Sequence, residues 1–298
     1  MSNIIKNRVH FMGIFDAKNS NPNGDPDAAG QPRIDPMTEL CLVTDACLKR
    51  KIRNEIALMK EGAPSYKLYI ESNCGETLNA RDEENFELAT GVALKNLAEY
   101  KKDHPDVDDI LRKFVCGNYY DIRTFGGVMT RFQAAKLNSG MIRGPVQISM
   151  AESVLPVELR EVSVARTIVA TEEEVQKGNT TFGQKAIIPY GLFTFTGSIS
   201  PMLARATGFS EEDQELLFDA IVNMFEHDQA AIRNQMALRK LVIFTHDSAY
   251  GNAPAHKLYE RVHIQQIDPS KPARNYSDFA VEVDTTNVPN GVSIEVRD

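Results

Sequence analysis

Apolar and polar side chains alternate with a period of two in several stretches of this 298-residue chain, and helical spacing fills the intervals. The first stretch, residues 8–16 (R-V-H-F-M-G-I-F-D), places Val9, Phe11 and Phe15 on one face of a strand. Residues 44–60 change to helical spacing. Leu48, Ile52, Ile56 and Met59 fall on one arc of a 100° wheel, Thr44 is a good N-cap, and Asp45 sits in the favourable first turn. Tyr66–Glu71 is a short strand candidate. Leu78–Lys102 is helical in composition, Pro105 interrupts it, and a short helix is expected around Asp109–Val115.

Val154–Val169 is β-rich, and Ile187–Ile199 is a strand with Phe193, Phe195 and Ile199 on one face. The polar, turn-like stretch Thr171–Thr181 between them predicts a projecting hairpin over 160–186. Ser210 with Asp213 forms a capping-box pattern and opens a helix within 210–235, with Leu217, Ile221 and Met224/Phe225 inward. Strands follow at Leu238–His246 and Tyr259–Ile267, and Phe279–Val283 with Val292–Val296 predicts a terminal hairpin around Asn290-Gly291. Strand, helix, strand, strand, helix, strand is the order of a ferredoxin-like or RNA-recognition-motif sheet, so an α+β fold is expected.

Between the first strand and the first helix, Pro22, Pro26, Pro32 and Pro36 alternate with Asn23-Gly24 and Gly30, which predicts a turn-rich loop without regular structure. Lys49, Arg50, Arg53 and Lys60 fall beside the apolar arc of the helix that follows. A helix packed through that arc presents cations next to a polar loop, an arrangement that suits a polyanion; the same spacing also describes a solvated helix face. The formal net charge of −8 is unlike that of most nucleic-acid-binding domains, but it is unevenly spread. Residues 1–60 carry nine Lys/Arg against seven Asp/Glu, and residues 61–116 carry seven against twelve. Residues 119–150 interleave Tyr119, Tyr120, Phe125 and Phe132 with Arg123, Arg131 and Arg143. That composition occurs where phosphates are clamped and bases stacked, and equally where aromatics are core and arginines are surface.

No apolar run has the length of a membrane span, and the start Met-Ser-Asn-Ile-Ile-Lys has no secretory apolar core, so a cytoplasmic protein is expected. Cys41, Cys47, Cys74 and Cys116 form no C-x-x-C pair and are expected to be reduced thiols. The six histidines show no metal-ligand spacing, and there is no G-x-S-x-G and no P-loop, so no cofactor or metal is assigned. His246-Asp247 predicts a local hydrogen bond at a strand end. Asp16, Asp25, Asp27 and Asp35 are the one acidic set with catalytic potential, since several carboxylates could hold Mg²⁺ for phosphodiester cleavage. The other reading makes them turn residues.

Five blocks carry a family resemblance: Gly13-Ile14-Phe15-Asp16, Asp121-Ile122-Arg123-Thr124-Phe125-Gly126, Gly144-Pro145-Val146-Gln147-Ile148-Ser149, Ile188-Pro189-Tyr190-Gly191 and Phe244-Thr245-His246-Asp247-Ser248-Ala249. With the loop and basic helix between the first two, the chain resembles the backbone subunit of type I CRISPR surveillance complexes (Cascade), subtype I-C above all. It departs from the pattern at Glu39 and Cys41, where many relatives have glycine. The resemblance implies a hand-shaped subunit: an RNA-recognition-motif palm, fingers over 61–140 and a thumb over 160–186. Copies of it polymerise head to tail along one guide RNA, beside other Cascade subunits, and base pairing reads the target DNA strand. A separately recruited nuclease-helicase cuts the DNA, whereas related type III subunits cut RNA with a loop aspartate. Lys49, Arg50 and Arg53 with Lys18 and Arg33 are then the expected phosphate contacts, followed by Arg123 and Arg143. Val169, Val175 and Phe182 are the expected thumb residues that displace bases or dock. Two alternatives remain from the residues alone: a Mg²⁺-dependent ribonuclease using the loop aspartates, and an oligomeric scaffold that binds no RNA.

Overall fold

In the computed structural model, which describes residues 3–71, 75–165 and 182–298, the first strand lies in the middle of a large antiparallel sheet. β1 (Val9–Ser20) runs between β10 (Phe182–Ile199) and β11 (Met236–His246), antiparallel to both. From edge to edge the order is β14 (Val292–Arg297), β11, β1, β10, β8 (Ala151–Ser153), β4 (Cys41–Val43), β3 (Gln31–Ile34) and β2 (Gly24–Asp25). β7 (Val146–Ile148) and β9 (Arg160–Ala165) also pair with β10.

Alternation along β1 decides which side chains meet which layer. Val9, Phe11, Phe15 and Ala17 are buried in one core with Leu48, Ile52 and Ile56 of α1 (Asp45–Lys60) and Leu217, Phe218 and Ile221 of the helix Glu211–Asn223. Met12 and Ile14 point the other way, onto Tyr190, Leu192 and Phe279, beneath the ladder of β12 (Val262–Gln266) and β13 (Phe279–Val283). The fold is thus mixed α/β on an antiparallel sheet. No helix among the described residues is long and apolar enough to cross a membrane.

Two glycines let the central strands close. In the β1–β10 register Phe11 lies opposite Gly197 and Phe195 opposite Gly13. A Cβ built on Gly197 would stand 2.1 Å from the Phe11 ring, and one on Gly13 would stand 2.2 Å from the Phe195 ring. Each aromatic ring covers the glycine across from it. Gly197→Val is therefore expected to destabilise the protein by about 1–3 kcal/mol through overpacking, read as a lower urea midpoint; an unchanged midpoint would show that the Phe11 ring has room to move.

Residues 69–142 gather a second core of Tyr69, Phe86, Leu111, Phe132 and neighbours. Its helices are α2 (Leu78–Thr90), α3 (Leu97–Asp103), α4 (Val107–Asn118), α5 (Tyr120–Phe125) and α6 (Thr130–Ala134), with a small ladder of β5 (Gly126–Val128) and β6 (Met141–Arg143).

Several expectations change. Helix Leu78–Lys102 breaks at Gly91, which caps α2 at φ +76°. Tyr66–Glu71 is not a strand; a single parallel bridge joins Lys67 to Tyr119. The capping box of Ser210 and Asp213 has both of its bonds, but its helix ends at Asn223. Phe279–Val283 and Val292–Arg297 do not pair with each other: β13 joins β12, and β14 joins β11. Alternation shows that a segment is a strand but not which strand it meets. Of the expected hairpin, β9 and β10 pair from Arg160↔Ile187 to Ala165↔Phe182, so Phe182 begins β10. The stretch Thr171–Thr181, with Val169 and Val175, lies outside the described residues.

Candidate nucleic-acid interface

The proline-rich loop is more ordered than its composition predicts. β2 pairs with β3 through Gly24↔Pro32 and Asp25↔Gln31, and β3 pairs with β4 through Arg33↔Leu42 and Ile34↔Cys41. This ribbon forms the sheet edge, where a proline without an N–H is tolerated. Pro26 opens a single 3₁₀ turn, Pro26–Ala28, another place where a missing donor is harmless. Asn23 ties the loop to the helix: its Oδ1 accepts from the Thr44 N–H at 2.9 Å and the Thr44 hydroxyl at 3.0 Å, while the Thr44 hydroxyl caps Cys47 N–H. Glu39 holds φ +59°, a left-handed conformation for which glycine carries no Cβ penalty.

The cations divide by burial. Arg50 is exposed and forms no ion pair with another described residue. Lys49 is half-buried, 3.0 Å from Asp45 Oδ2, with its ammonium 5.8 Å from the Phe125 ring centre. Arg143 is exposed, and the β5–β6 ladder sets it opposite Gly126, the residue after Phe125. Arg33 is half-buried and 3.4 Å from Asp25, and Lys18 donates to Asn275 Oδ1 at 2.6 Å. A groove of about 440 Å³ runs past Lys49, Arg50, Asn54, Leu68 and Ile70 on the outer side of α1.

Arg53, which also borders the groove, and Arg123 differ from this set in being buried and ion-paired. Arg53 is 8% exposed, its Nε bonded to Asp121 Oδ2 at 2.9 Å, with Phe125 stacked 5.3 Å away. Arg123 makes two 2.9 Å bonds to Asp213 and donates to the carbonyls of Ser65 and Cys116. Lys51, in the middle of the basic run, is 1% exposed and paired with Asp228. The wheel treats everything beside the apolar arc as surface. In the structure the helix Glu211–Asn223 packs one flank of α1, and Phe125 with Leu68 the other.

One cation stands outside the sequence-derived set. Arg233 precedes β11 in a segment whose Ile232 carbonyl accepts from Asn21 N–H at 2.7 Å, while Gln235 O accepts from Lys18 N–H at 2.8 Å. Three buried polar atoms of this loop and segment have no protein partner: Asn21 Oδ1, Arg33 Nε and Arg233 Nε. A lone arginine before a strand carries no periodic signal. Its place beside the loop follows only from the β1–β11 pairing.

Three of the four aspartates are bonded within the subunit. Asp16 is 3% exposed and accepts both Arg239 nitrogens at 3.0 Å and the Tyr190 hydroxyl at 3.1 Å. Asp25 accepts Asp27 N–H and meets Arg33, and Asp35 accepts Met37 N–H. Among the described residues no three His, Cys, Asp or Glu are grouped to hold a metal ion. His246 and Asp247 do not bond each other; each takes a donor from Asn252, at 2.8 and 2.6 Å. Cys41, Cys47 and Cys116 are buried free thiols, and burial pushes Cys41 and Cys116 up to about 12.

Residues 7–284 match the family model described as CRISPR-associated protein Cas7. A Haloferax volcanii protein described as CRISPR-associated protein Cas7 is 26% identical over 291 residues, covering 93% of this chain and 81% of that protein. Among solved structures, a chain of a pre-nicking CRISPR RNA-guided surveillance complex aligns with a TM-score of 0.47 at 13% identity, covering 80% of this chain and 78% of the other. A chain of another CRISPR RNA-guided surveillance complex aligns with a TM-score of 0.44 at 14% identity, covering 80% and 68%. The family match takes in β1, the loop, α1, the second core and β11, and the chain belongs to the CRISPR-associated Cas7 family.

Proposed function

We propose that this chain is a guide-RNA-binding backbone subunit of a type I, subtype I-C-like surveillance complex, several copies of which line up along one guide and hold it for pairing with target DNA. Together with family membership, the observation that carries this reading is the cationic rim of the α1 groove. Lys49 and Arg50 line that groove together with Asp45 and Glu71, the Lys49 ammonium lies over the Phe125 ring, and exposed Arg143 stands opposite Gly126, beside a loop with unpartnered polar atoms. Phosphate contacts made in this way fix position and carry no sequence information, so base pairing is left to read the target. Lys18 and Arg33 extend the set, and Arg233 is added to it. Arg53 and Arg123 are assigned to holding the subunit together.

The order β11-β1-β10-β8, with both long helices on one face, supports an RNA-recognition-motif palm. The separate core of residues 69–142 supports fingers over 61–140, and the β9–β10 ladder supports a thumb over 160–186. The bonded state of Asp16, Asp25 and Asp35 supports a loop without catalysis, with cutting left to a recruited nuclease-helicase.

Lys49→Ala with Arg50→Ala is expected to weaken binding of unrelated single-stranded RNAs alike. It should also lower the magnitude of the log–log salt slope by about 1.4, at about 0.7 for each lost contact. An unchanged slope would reduce this rim to solvated surface. The copurified protein should carry RNA and show regular arrays by electron microscopy, and Mg²⁺-dependent, chelator-sensitive RNA cleavage would favour the ribonuclease reading instead.

A further inference from the structure

A cleft of about 560 Å³ opens where α4 and α5 of the second core meet the helix Pro201–Thr207, with Tyr66, Lys113, Arg123, Arg205, Thr207 and Asp213 among its walls. Its floor is neutral, because Arg123 is saturated by Asp213 and two carbonyls. Its rim is positive. Lys113 and Arg205 come from different helices, are exposed, and form no ion pair with another described residue. The Lys60 ammonium adds a third charge 4.7 Å from the Tyr66 ring centre, and the buried Thr207 hydroxyl has no partner.

The complementary surface is on α2. This helix turns Arg81, Asp82, Asn85 and Phe86 inward and leaves Glu83, Glu84, Glu87 and Leu88 outward. Glu83 is paired with Arg131, whereas Glu84 and Glu87 form no ion pair with another described residue, and Leu88 is 63% exposed. Positions 84, 87 and 88 share one face of the helix, so two carboxylates and an apolar side chain project together. Because α2 packs on α4 through its opposite face, this set lies on the exposed side of the helix, with Glu87 at the edge of a groove that Lys95 and Arg131 also line.

We propose that Lys113 and Arg205 of one copy receive Glu84 and Glu87 of a second copy, with Leu88 against the cleft wall of Pro64 and Tyr66. The proposal rests on the reading that copies stand side by side on one RNA. The cleft lies past the C-terminal end of α1, whose Lys60 is about 17 Å along the helix axis from Lys49, so its cations stand apart from the rim assigned to RNA and are left for a protein carboxylate. Since the two patches are different surfaces, the contact is heterologous, so it builds an open array instead of closing a dimer. It also gives copies that each carry a net −8 a specific acid–base seam.

The test uses full-length chains on an RNA long enough for several copies. K113E with R205E, and separately E84K with E87K, should leave binding of the first copy unchanged and weaken neighbour-to-neighbour addition on the order of tenfold or more, read by mass photometry. Mixing the two variants, or combining all four changes in one chain, should restore full arrays. All four side chains are exposed, and circular dichroism checks that the variants fold. Wild-type array growth in either double variant, or failure of both the mixture and the four-fold variant to recover, overturns the proposal. Failure of the guide reading looks different: the wild type then binds no RNA, and sedimentation of the mixed variants without RNA still shows whether the seam forms.

Discussion

Asp121→Ala is expected to remove about 3–5 kcal/mol of stability, the range found when one member of a buried ion pair is deleted. Asp121 is fully buried and ties three pieces of chain together. Its Oδ2 accepts from Arg53 Nε at 2.9 Å and Ile70 N–H at 3.0 Å, and its Oδ1 accepts from Tyr69 N–H at 2.8 Å. Alanine leaves the buried Arg53 guanidinium, the buried Tyr69 amide and the part-buried Ile70 amide without their acceptor, and burial makes the first two losses larger than they would be in water. Asp121→Asn keeps one acceptor oxygen and should fall between the two. Arg53→Leu in the alanine background should recover only part of the loss, because the Tyr69 and Ile70 amides stay unpaired. Urea midpoints of the four proteins check this ordering, and an asparagine variant as stable as the wild type would show that the carboxylate charge is not what holds α1 to the second core.

Acidification from pH 7 towards pH 4 is expected to destabilise the subunit through two histidines that are neutral when folded. His10 and His246 are buried, with ring centres 5.3 Å apart and planes nearly perpendicular. Desolvation, then the nearby Arg8 and His246, lower His10 to about 4. Desolvation and Arg8 also lower His246, with Asp247 acting in the opposite direction. Arg8 Nε donates to His10 Nε2 and Asn252 N–H donates to His246 Nδ1, so each ring already uses a lone pair that a proton would need. The Tyr259 hydroxyl, 3.4 Å from His10 Nδ1, closes the third side. Both folded pKa values lie below the unfolded value, so the unfolded chain takes up protons first as pH falls. The stabilisation is complete above about pH 6.5 and is lost as pH drops through the folded values. For His10 it amounts to about 2 kcal/mol after allowance for solvent screening. Melting temperatures at pH 7.5 and 5 should differ less in His10→Gln with His246→Gln than in the wild type; an equal pH slope in the two proteins would place the acid sensitivity in other groups.

The elements that could be read from the sequence were those with local signals. Val9, Phe11 and Phe15 alternate, Thr44 caps, and Ser210 with Asp213 forms the box that the structure contains. What the sequence hid depends on partners far along the chain. Lys51 is indistinguishable from Lys49 until Asp228 is brought beneath it, and Arg53 resembles a surface cation until Asp121 arrives from α5. The pairing of β14 with β11 is non-local in the same way, whereas Asn290-Gly291 gave a local and misleading hairpin signal. The loop's order arises from strand pairing and from Asn23 on Thr44, neither of which its prolines and glycines foretell.

The position of β1 also sets a timetable for synthesis. Val9 pairs with Ile199 on one side and Thr245 on the other, so the N-terminal strand emerges from the ribosome long before either neighbour exists. At roughly 5–20 residues per second, its apolar face waits tens of seconds, while α1 and the second core can already form local contacts. Such pairing across nearly the whole chain is slow to establish. A nascent chain stopped before Met236 would hold β1 with one edge open, an invitation to strand exchange between neighbouring polypeptides on a polysome.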